Sequence, residues 1–191
     1  MQKSKLRTLY KQKRQQLSDN EVALLSQEIV NQLIGSFDWA SFQSVHCFLP
    51  IAAKKEVDLW LFIRWTFSEM EHLSLFVPKM HGDTLTNHRL TPNTPLERNA
   101  WGILEPKDDE ISPQNVCFDA VITPLLYCDD KGNRIGYGKG FYDRFFSEIN
   151  PTTLKIGVNF FAPNEPIDDV FTSDIPLNYL VTPSGVIEFG R

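Results

Sequence analysis

The sequence is short of features that would assign it quickly to a class. It holds only three cysteines, Cys47, Cys117 and Cys128, well separated and with no CxxC or Cys/His spacing. A disulfide framework and a zinc site are both excluded as organising features, and a reducing cytosol is the expected setting. Cys47 and Cys117 lie in apolar surroundings and are expected to be buried thiols. No run of 18 apolar residues exists, so no membrane span is expected. Positive charge is not in surplus: the net charge of −5 gives no global field for nucleic acid. Internal repeats and low-complexity linkers are also missing. No glycine-lysine-serine/threonine ending marks a Walker loop, and Phe141 stands where a dinucleotide fingerprint needs its last glycine.

What is present is an ordinary globular composition, 42% hydrophobic and 23% charged over 191 residues. That length suits a single domain covering residues 1–191. Apolar runs without alternation predict buried strands at 45–50, 73–78, 119–124, 154–160 and 180–183, with an edge strand at 186–189. Ser18 and Glu21 form a capping box ahead of Val22, Leu25, Ile29 and Leu33, a helix that Gly35 is expected to stop. Residues 57–71 read as a further helix facing Leu59, Phe62, Ile63 and Phe67 inward. Residues 81–116 are turn-rich, with a strand-like piece at His88-Arg89-Leu90. Buried strands separated by helices predict an α/β fold, three layers around a mostly parallel sheet.

The first 18 residues carry Lys3, Lys5, Arg7, Lys11, Lys13 and Arg14 and no acid. At helical pitch Leu6, Tyr10 and Leu17 share a stripe, and Lys3, Arg7 and Arg14 border it. Cations at the rim of a buried stripe point into a groove, so an anion-facing helix is expected; a plainly solvated helix and a transit peptide are the alternatives.

The most informative stretch runs from Asp129 to Arg144. Gly136, Gly138 and Gly140 let consecutive backbone N–H groups converge on one ligand, and a helix starting near Gly140 adds its positive end. Arg134 and Lys139 bring cations to the same place, which suits a polyphosphate. The bland alternative is a tight strand-to-helix turn. Asp143, in the first helical turn, either complements the helix dipole or holds Mg²⁺, which needs only one or two carboxylates plus phosphate oxygens. Asp174 is a second candidate carboxylate or a turn residue.

Lys3-x-x-Leu6-Arg7, Phe48-Leu49 with Glu56-Val57-Asp58, Trp101-x-Ile103-x-x-Pro106, and Gly132 to Asp143 occur in order, followed by Asp174-Ile-Pro-Leu and Leu180-Val-Thr-Pro. This series resembles the 5-formyltetrahydrofolate cyclo-ligase (methenyltetrahydrofolate synthetase) family over nearly the whole chain. The resemblance implies a fold like that of the sugar-phosphate isomerase and CoA-transferase group. It implies ATP-dependent closure of 5-formyltetrahydrofolate to 5,10-methenyltetrahydrofolate, with release of ADP and phosphate. By it, Lys3, Arg7, Arg134, Ile135, Gly136, Tyr137, Gly138, Lys139, Gly140, Phe141 and Tyr142 would bind ATP, with Arg134 and Lys139 catalytic. Asp143 and Asp174 would hold Mg²⁺, and Glu56, Leu49 and Trp101 would meet the folate. The chain departs from the family at Asn178, where an acid is expected, and around Lys54 and Lys55. A cytoplasmic monomer acting on small molecules, with no nucleic acid and no membrane, completes the expectation. The rivals are a non-enzymatic nucleotide- or RNA-binding protein and an ATP-independent isomerase or transferase on the same scaffold.

Overall fold

The computed structural model describes residues 1–82, 84–100, 102–107 and 116–190. Trp101, expected at the folate site, lies outside the described residues.

The chain opens with helices α1 (Lys3–Gln16) and α2 (Asp19–Ser36). The capping box forms as expected: the Glu21 N–H donates to Ser18 Oγ at 3.2 Å and the Ser18 N–H to Glu21 Oε2 at 2.7 Å, worth about 1 kcal/mol. Gly35 does not stop α2. The helix runs on to Ser36, and the break comes at Phe37, whose backbone is extended. Strand β1 (Ser44–His46) is shorter than the expected 45–50, because the paired register ends at His46 and Cys47 to Leu49 continue as buried chain. Helix α3 (Trp60–Glu69) buries Phe62 and Ile63, with Leu59 buried just before it and Phe67 only partly covered.

Strand β2 (Ser74–His81) continues through Pro78 instead of ending there, and pairs with β3 (Thr84–Leu90), which contains the expected 88–90 piece. The Phe76 carbonyl accepts from the Cys47 N–H at 2.8 Å, so every second residue of β2 turns its polar groups toward β1. Pro78, two residues on, faces the space that β1 has already left. Its missing N–H therefore costs no ladder bond. A small antiparallel pair follows, β4 (Leu96–Arg98) with β5 (Leu104–Pro106).

Then come β6 (Ala120–Pro124), a two-stranded hairpin of β7 (Tyr127–Cys128) and β8 (Arg134–Ile135), and helix α4 (Phe141–Glu148). Strands β9 (Leu154–Val158), β10 (Tyr179–Thr182) and β11 (Gly185–Glu188) complete the chain. The main sheet runs β11-β10-β9-β6-β1-β2-β3. Its inner pairs are parallel, and only the outer strands β11 and β3 run antiparallel to their neighbours.

Alternate strand residues serve opposite faces. Val45, Ala120, Ile122 and Val181 pack with Ile29 and Leu33 of α2 and Phe62 and Ile63 of α3. Phe76, Val121 and Leu180 pack with Phe145 and Phe146 of α4 on the other side. Helices thus cover both faces, which explains why the strands read as unbroken apolar runs. Each fully buried Leu, Ile or Phe contributes roughly 1.5–3 kcal/mol. One cysteine expectation is reversed. Cys47 is buried, but Cys117 is exposed just before β6, and the second buried thiol is Cys128.

Candidate active site

Helix α1 has no side-chain cap of its own and no acid in its first turn. A segment far along the chain supplies both. Asp169 Oδ1 accepts from the Lys3 N–H at 2.6 Å, and the α-amino group of Met1 lies 2.9 Å from Asp168. The buried stripe of Leu6 and Tyr10 packs against Leu126, Tyr127 and Ile135 of the hairpin, and the Tyr10 and Tyr127 rings stack at 4.2 Å. The N-terminal cations are therefore fixed against the glycine loop. Leu17 is only partly covered, whereas Arg14 is buried instead of bordering the stripe.

The hairpin is built on Asp129. Its Oδ1 accepts from the Lys131 and Asn133 N–H groups at 3.0 and 2.9 Å, and its Oδ2 from Asn133 Nδ2 at 2.9 Å. This turn aims Arg134 inward. Arg134 Nη2 lies 2.8 Å from Asp143 Oδ1, and Nη1 donates to the Ile175 carbonyl. The guanidinium also lies 4.5 Å from the Phe146 ring centroid. Burial lowers the Arg134 pKa, opposed by the charges of Asp143, Tyr142 and Asp174. At the other side Lys3 Nζ pairs with Asp174 Oδ2. Each carboxylate is thus held by a cation, and the Ile175 N–H, next to Asp174 in the chain, donates to Asp143 Oδ1 at 3.5 Å.

Beyond Ile135 the loop passes over α1. Arg7 Nε donates to the Gly136 carbonyl at 3.0 Å. Gly138 has φ +91°, and a Cβ there would come within 3.3 Å of the Arg7 guanidinium. A glycine is needed at that point on both counts. Gly140, also left-handed, caps α4. Lys139 is exposed and makes no ion pair among the described residues.

Tyr137 turns the other way. Its hydroxyl donates to Glu56 Oε1 at 2.6 Å and accepts from Arg14 Nη2. The Ile51 N–H donates to Glu56 Oε2 at 2.8 Å. Burial raises the Glu56 pKa, and the Tyr137 hydroxyl, the Ile51 N–H and the charges of Arg14 and Lys54 partly offset this. Burial likewise raises the pKa of Tyr137 and of Tyr142, and Glu56 adds to both. Glu56 and Arg14 line a narrow crevice with Phe48, Pro124, Leu125, Asn159 and Phe160, at the carboxyl ends of the parallel strands, where open α/β sheets bind ligands. Leu49 instead packs into the core beside Val57 and Leu59.

The structure therefore gathers Lys3, Arg7, Arg134 and Asp174 around the loop of Gly136 to Asp143, with Glu56 joined to it through Tyr137. Sequence reasoning missed Phe48, Asn159 and Phe160 as lining residues. All three lie inside the expected strands 45–50 and 154–160 and so read as core, whereas the observed strands end at His46 and Val158 and leave them just beyond the sheet. Among the described residues no group of three or more His, Cys, Asp or Glu side chains could hold a metal ion. The donors present are two carboxylates, hard oxygens that would fill part of a shell. That fits Mg²⁺, which keeps most of its waters and takes phosphate oxygens as well. No helix among the described residues is long and apolar enough to cross a membrane.

Comparison with known proteins returns one family. The model of the 5-formyltetrahydrofolate cyclo-ligase family matches residues 1–181. A probable 5-formyltetrahydrofolate cyclo-ligase of Schizosaccharomyces pombe is 29% identical, over 98% of each chain. The 5-formyltetrahydrofolate cyclo-ligase of Escherichia coli K12 is 27% identical, over 95% of this chain and 100% of its own. The NMR structure of Aquifex aeolicus 5,10-methenyltetrahydrofolate synthetase superposes with a TM-score of 0.80 and 32% identity, covering 100% of this chain and 95% of that one. A Mycoplasma pneumoniae 5,10-methenyltetrahydrofolate synthetase, 23% identical with a TM-score of 0.71 over 96% and 99% of the chains, shares the fold.

Proposed function

The chain belongs to the 5-formyltetrahydrofolate cyclo-ligase family, and on that premise we propose that it closes 5-formyltetrahydrofolate to 5,10-methenyltetrahydrofolate at the expense of ATP. The observation that carries this reading is the pair of cation–carboxylate contacts, Lys3–Asp174 and Arg134–Asp143, at the glycine loop. Four opposite charges held face to face neutralise each other in the free protein. They are placed to repartition when a polyphosphate and a divalent ion arrive together, the cations to phosphate and the carboxylates to metal.

The formyl group on N5 is an amide, and its oxygen is a poor leaving group. Attack of that oxygen on the γ-phosphorus breaks the bond to the β–γ bridging oxygen, releases ADP and leaves an imino-phosphate. N10 then adds to the activated carbon and loses its proton. Departure of phosphate completes the N5–C–N10 bridge. No protein nucleophile is required. The chain's task is to align two ligands and to offset charge on the transferring group.

Lys3, Arg7, Arg134 and Lys139 serve the phosphates in this scheme, with Ile135 to Tyr142 wrapping the nucleotide. Asp143 and Asp174 would hold Mg²⁺, which when bound supplies charge neutralisation at the phosphate oxygens. Glu56 accepts hydrogen bonds from the N–H donors of the pterin, with Trp101 assigned to the same ligand by resemblance. We place the protein in the cytoplasm, as a single domain acting as a monomer on small molecules.

The test mixes protein, 5-formyltetrahydrofolate, ATP and magnesium and follows near-ultraviolet absorbance in mildly acidic buffer. Bridge closure conjugates N5 with N10, so a new band should grow only when all components are present, with one ADP per product. The 10-formyl isomer, which cyclises without ATP, is the control. A folded protein giving no band would sink the assignment, and ADP without a band would point to a different phosphoryl acceptor.

A further inference from the structure

Arg14 is the one charged residue of α1 that the fold buries, at 4% exposure. Its Nη2 donates to the Tyr137 hydroxyl and its Nη1 to the Leu125 carbonyl at 3.4 Å. Its Nε, shielded from solvent, has no hydrogen-bond partner among the described residues. A buried donor left unpaired is costly, and such groups call for an explanation. Arg14 also lines the crevice at the strand ends together with Glu56. Glu56 is complementary in the opposite sense. A carboxylate offers about four acceptor positions, and the structure uses one on each oxygen, for Tyr137 and for Ile51. The crevice wall therefore carries unspent acceptors and an unspent, positively charged donor. The Tyr137 hydroxyl, bonded to both residues, holds them side by side.

A ligand edge that satisfies this wall presents donors and an acceptor in a row. The pyrimidinone edge of a pterin does so: the 2-amino group and N3–H donate, and the adjacent 4-oxo oxygen accepts. Resting on the reading above, we infer that Arg14 is a specificity-determining residue of the folate site, its free Nε–H donating to the 4-oxo oxygen while Glu56 receives N3–H and the 2-amino group. Arg14 then selects the oxidation and substitution pattern of the ring's edge and takes no part in moving the phosphoryl group. Lysine would not replace it, because a point ammonium cannot serve Tyr137, Leu125 and the ligand from fixed, separate nitrogens.

The test measures dissociation constants for 5-formyltetrahydrofolate and for its 4-amino-4-deoxy counterpart, in which the 4-position donates and N3 accepts. Sites built to hydrogen-bond a group discriminate strongly against analogues lacking it, so the wild type should prefer the 4-oxo ligand by at least about a hundredfold. Arg14→Ala and Arg14→Lys should weaken the 4-oxo ligand by roughly ten- to a hundredfold and the 4-amino ligand little, collapsing the ratio. Thermal melts of the same variants report folding. Independently of any variant, the Arg14 Nε–H resonance in a ¹⁵N spectrum of the wild type should shift on adding the 4-oxo ligand and not the 4-amino one. Equal weakening of both ligands, or an unmoved Nε–H signal, would overturn the inference and leave Arg14 as a support for Tyr137. Guanosine carries the same edge, and tighter binding of guanosine than of the folate would overturn the assignment to a pterin. Cyclisation by the wild type is followed in parallel. Turnover without 4-oxo discrimination removes the inference alone, whereas neither turnover nor folate binding removes the cyclo-ligase reading and the inference with it.

Discussion

Replacing Asp143 by asparagine should change ATP binding in opposite directions with and without magnesium. In the free protein Asp143 sits 2.8 Å from Arg134 Nη2 and also faces the Ile175 N–H at 3.5 Å. Asparagine keeps an acceptor for both donors and removes only the charge. The carboxylate is 36% exposed, so solvent screens it, while the guanidinium is 6% exposed. The stability cost should therefore fall near 1 kcal/mol, the upper end for a surface pair, which for a chain of this size is a Tm loss of about 2–4 °C. The ligand effects are more telling. Without magnesium, the substitution removes a negative charge beside the phosphates and frees Arg134 for them, so ATP should bind as tightly as in wild type or more so. With magnesium, the variant lacks one of two carboxylates for the metal. Changes in the partners of metal ligands already cost about 10–100-fold in affinity, so loss of a ligand itself should raise the magnesium requirement at least tenfold. The assay is a pair of ATP titrations followed by calorimetry, one in chelator and one in saturating magnesium, with a melt of each sample. If Asp143 only complements the dipole of α4, both titrations will match wild type and only the melt will move. That outcome would refute the metal role.

Other perturbations test other parts of the site. Lys139→Ala should leave folding stability within about 0.5 kcal/mol of wild type, as for surface changes generally, yet cost a few kcal/mol of transition-state stabilisation, read from steady-state kinetics. Gly132→Ala should destabilise by roughly 2–4 kcal/mol in a denaturant titration, because φ is +81° and the new Cβ would lie 2.8 Å from the Leu177 carbonyl; a loss below half of that would show that the turn can relax. Burial without any hydrogen bond pushes the His46 pKa down to about 3. The unfolded chain then binds a proton the native state refuses, so stability is full above about pH 6.5 and falls as pH drops toward 3, by up to about 1.4 kcal/mol per unit. Glu56, with a raised pKa, contributes with the opposite sign. His46→Leu should flatten the acid limb measured for wild type, and an unchanged slope would reject the account.

The sheet was legible because both its faces are covered. Val121 and Ile122, neighbours in sequence, pack against different helices, so the strand had to read as an unbroken apolar run. Strand ends were less legible. Pro78 reads as a terminator, but whether a proline costs a ladder bond depends on where the neighbouring strand stops, and β1 stops at His46. Gly35 fails as a stop for a similar reason, since a Cβ there would meet nothing and no left-handed residue is needed. The β7–β8 hairpin escaped notice because its strands are two residues each and its turn is held by one aspartate side chain, Asp129.

The candidate site divides along the same line. The glycine loop could be read locally, since backbone freedom and adjacent cations are sequence-near properties. The pairings that give it chemistry are not local: Lys3 meets Asp174 across 171 residues, and Tyr137 meets Glu56 across 81. Helical periodicity set Arg14 at the rim of the α1 stripe, because arginine is apolar in no scale. The fold instead draws it under the loop, since Tyr137 and Leu125 offer acceptors there and the aromatic face of Tyr137 lies 5.5 Å away. Tyr137 is therefore the residue on which the two halves of the site meet. Its neighbour Gly136 is held by Arg7, on what we propose is the nucleotide side, while its hydroxyl holds Glu56, on what we propose is the folate side. Losing that hydroxyl, as in Tyr137→Phe, should leave the Arg7–Gly136 contact intact but free Glu56 and Arg14 to close on each other. Folate affinity should then fall more than ATP affinity, and equal losses for both ligands would mean that the loop moves as one body.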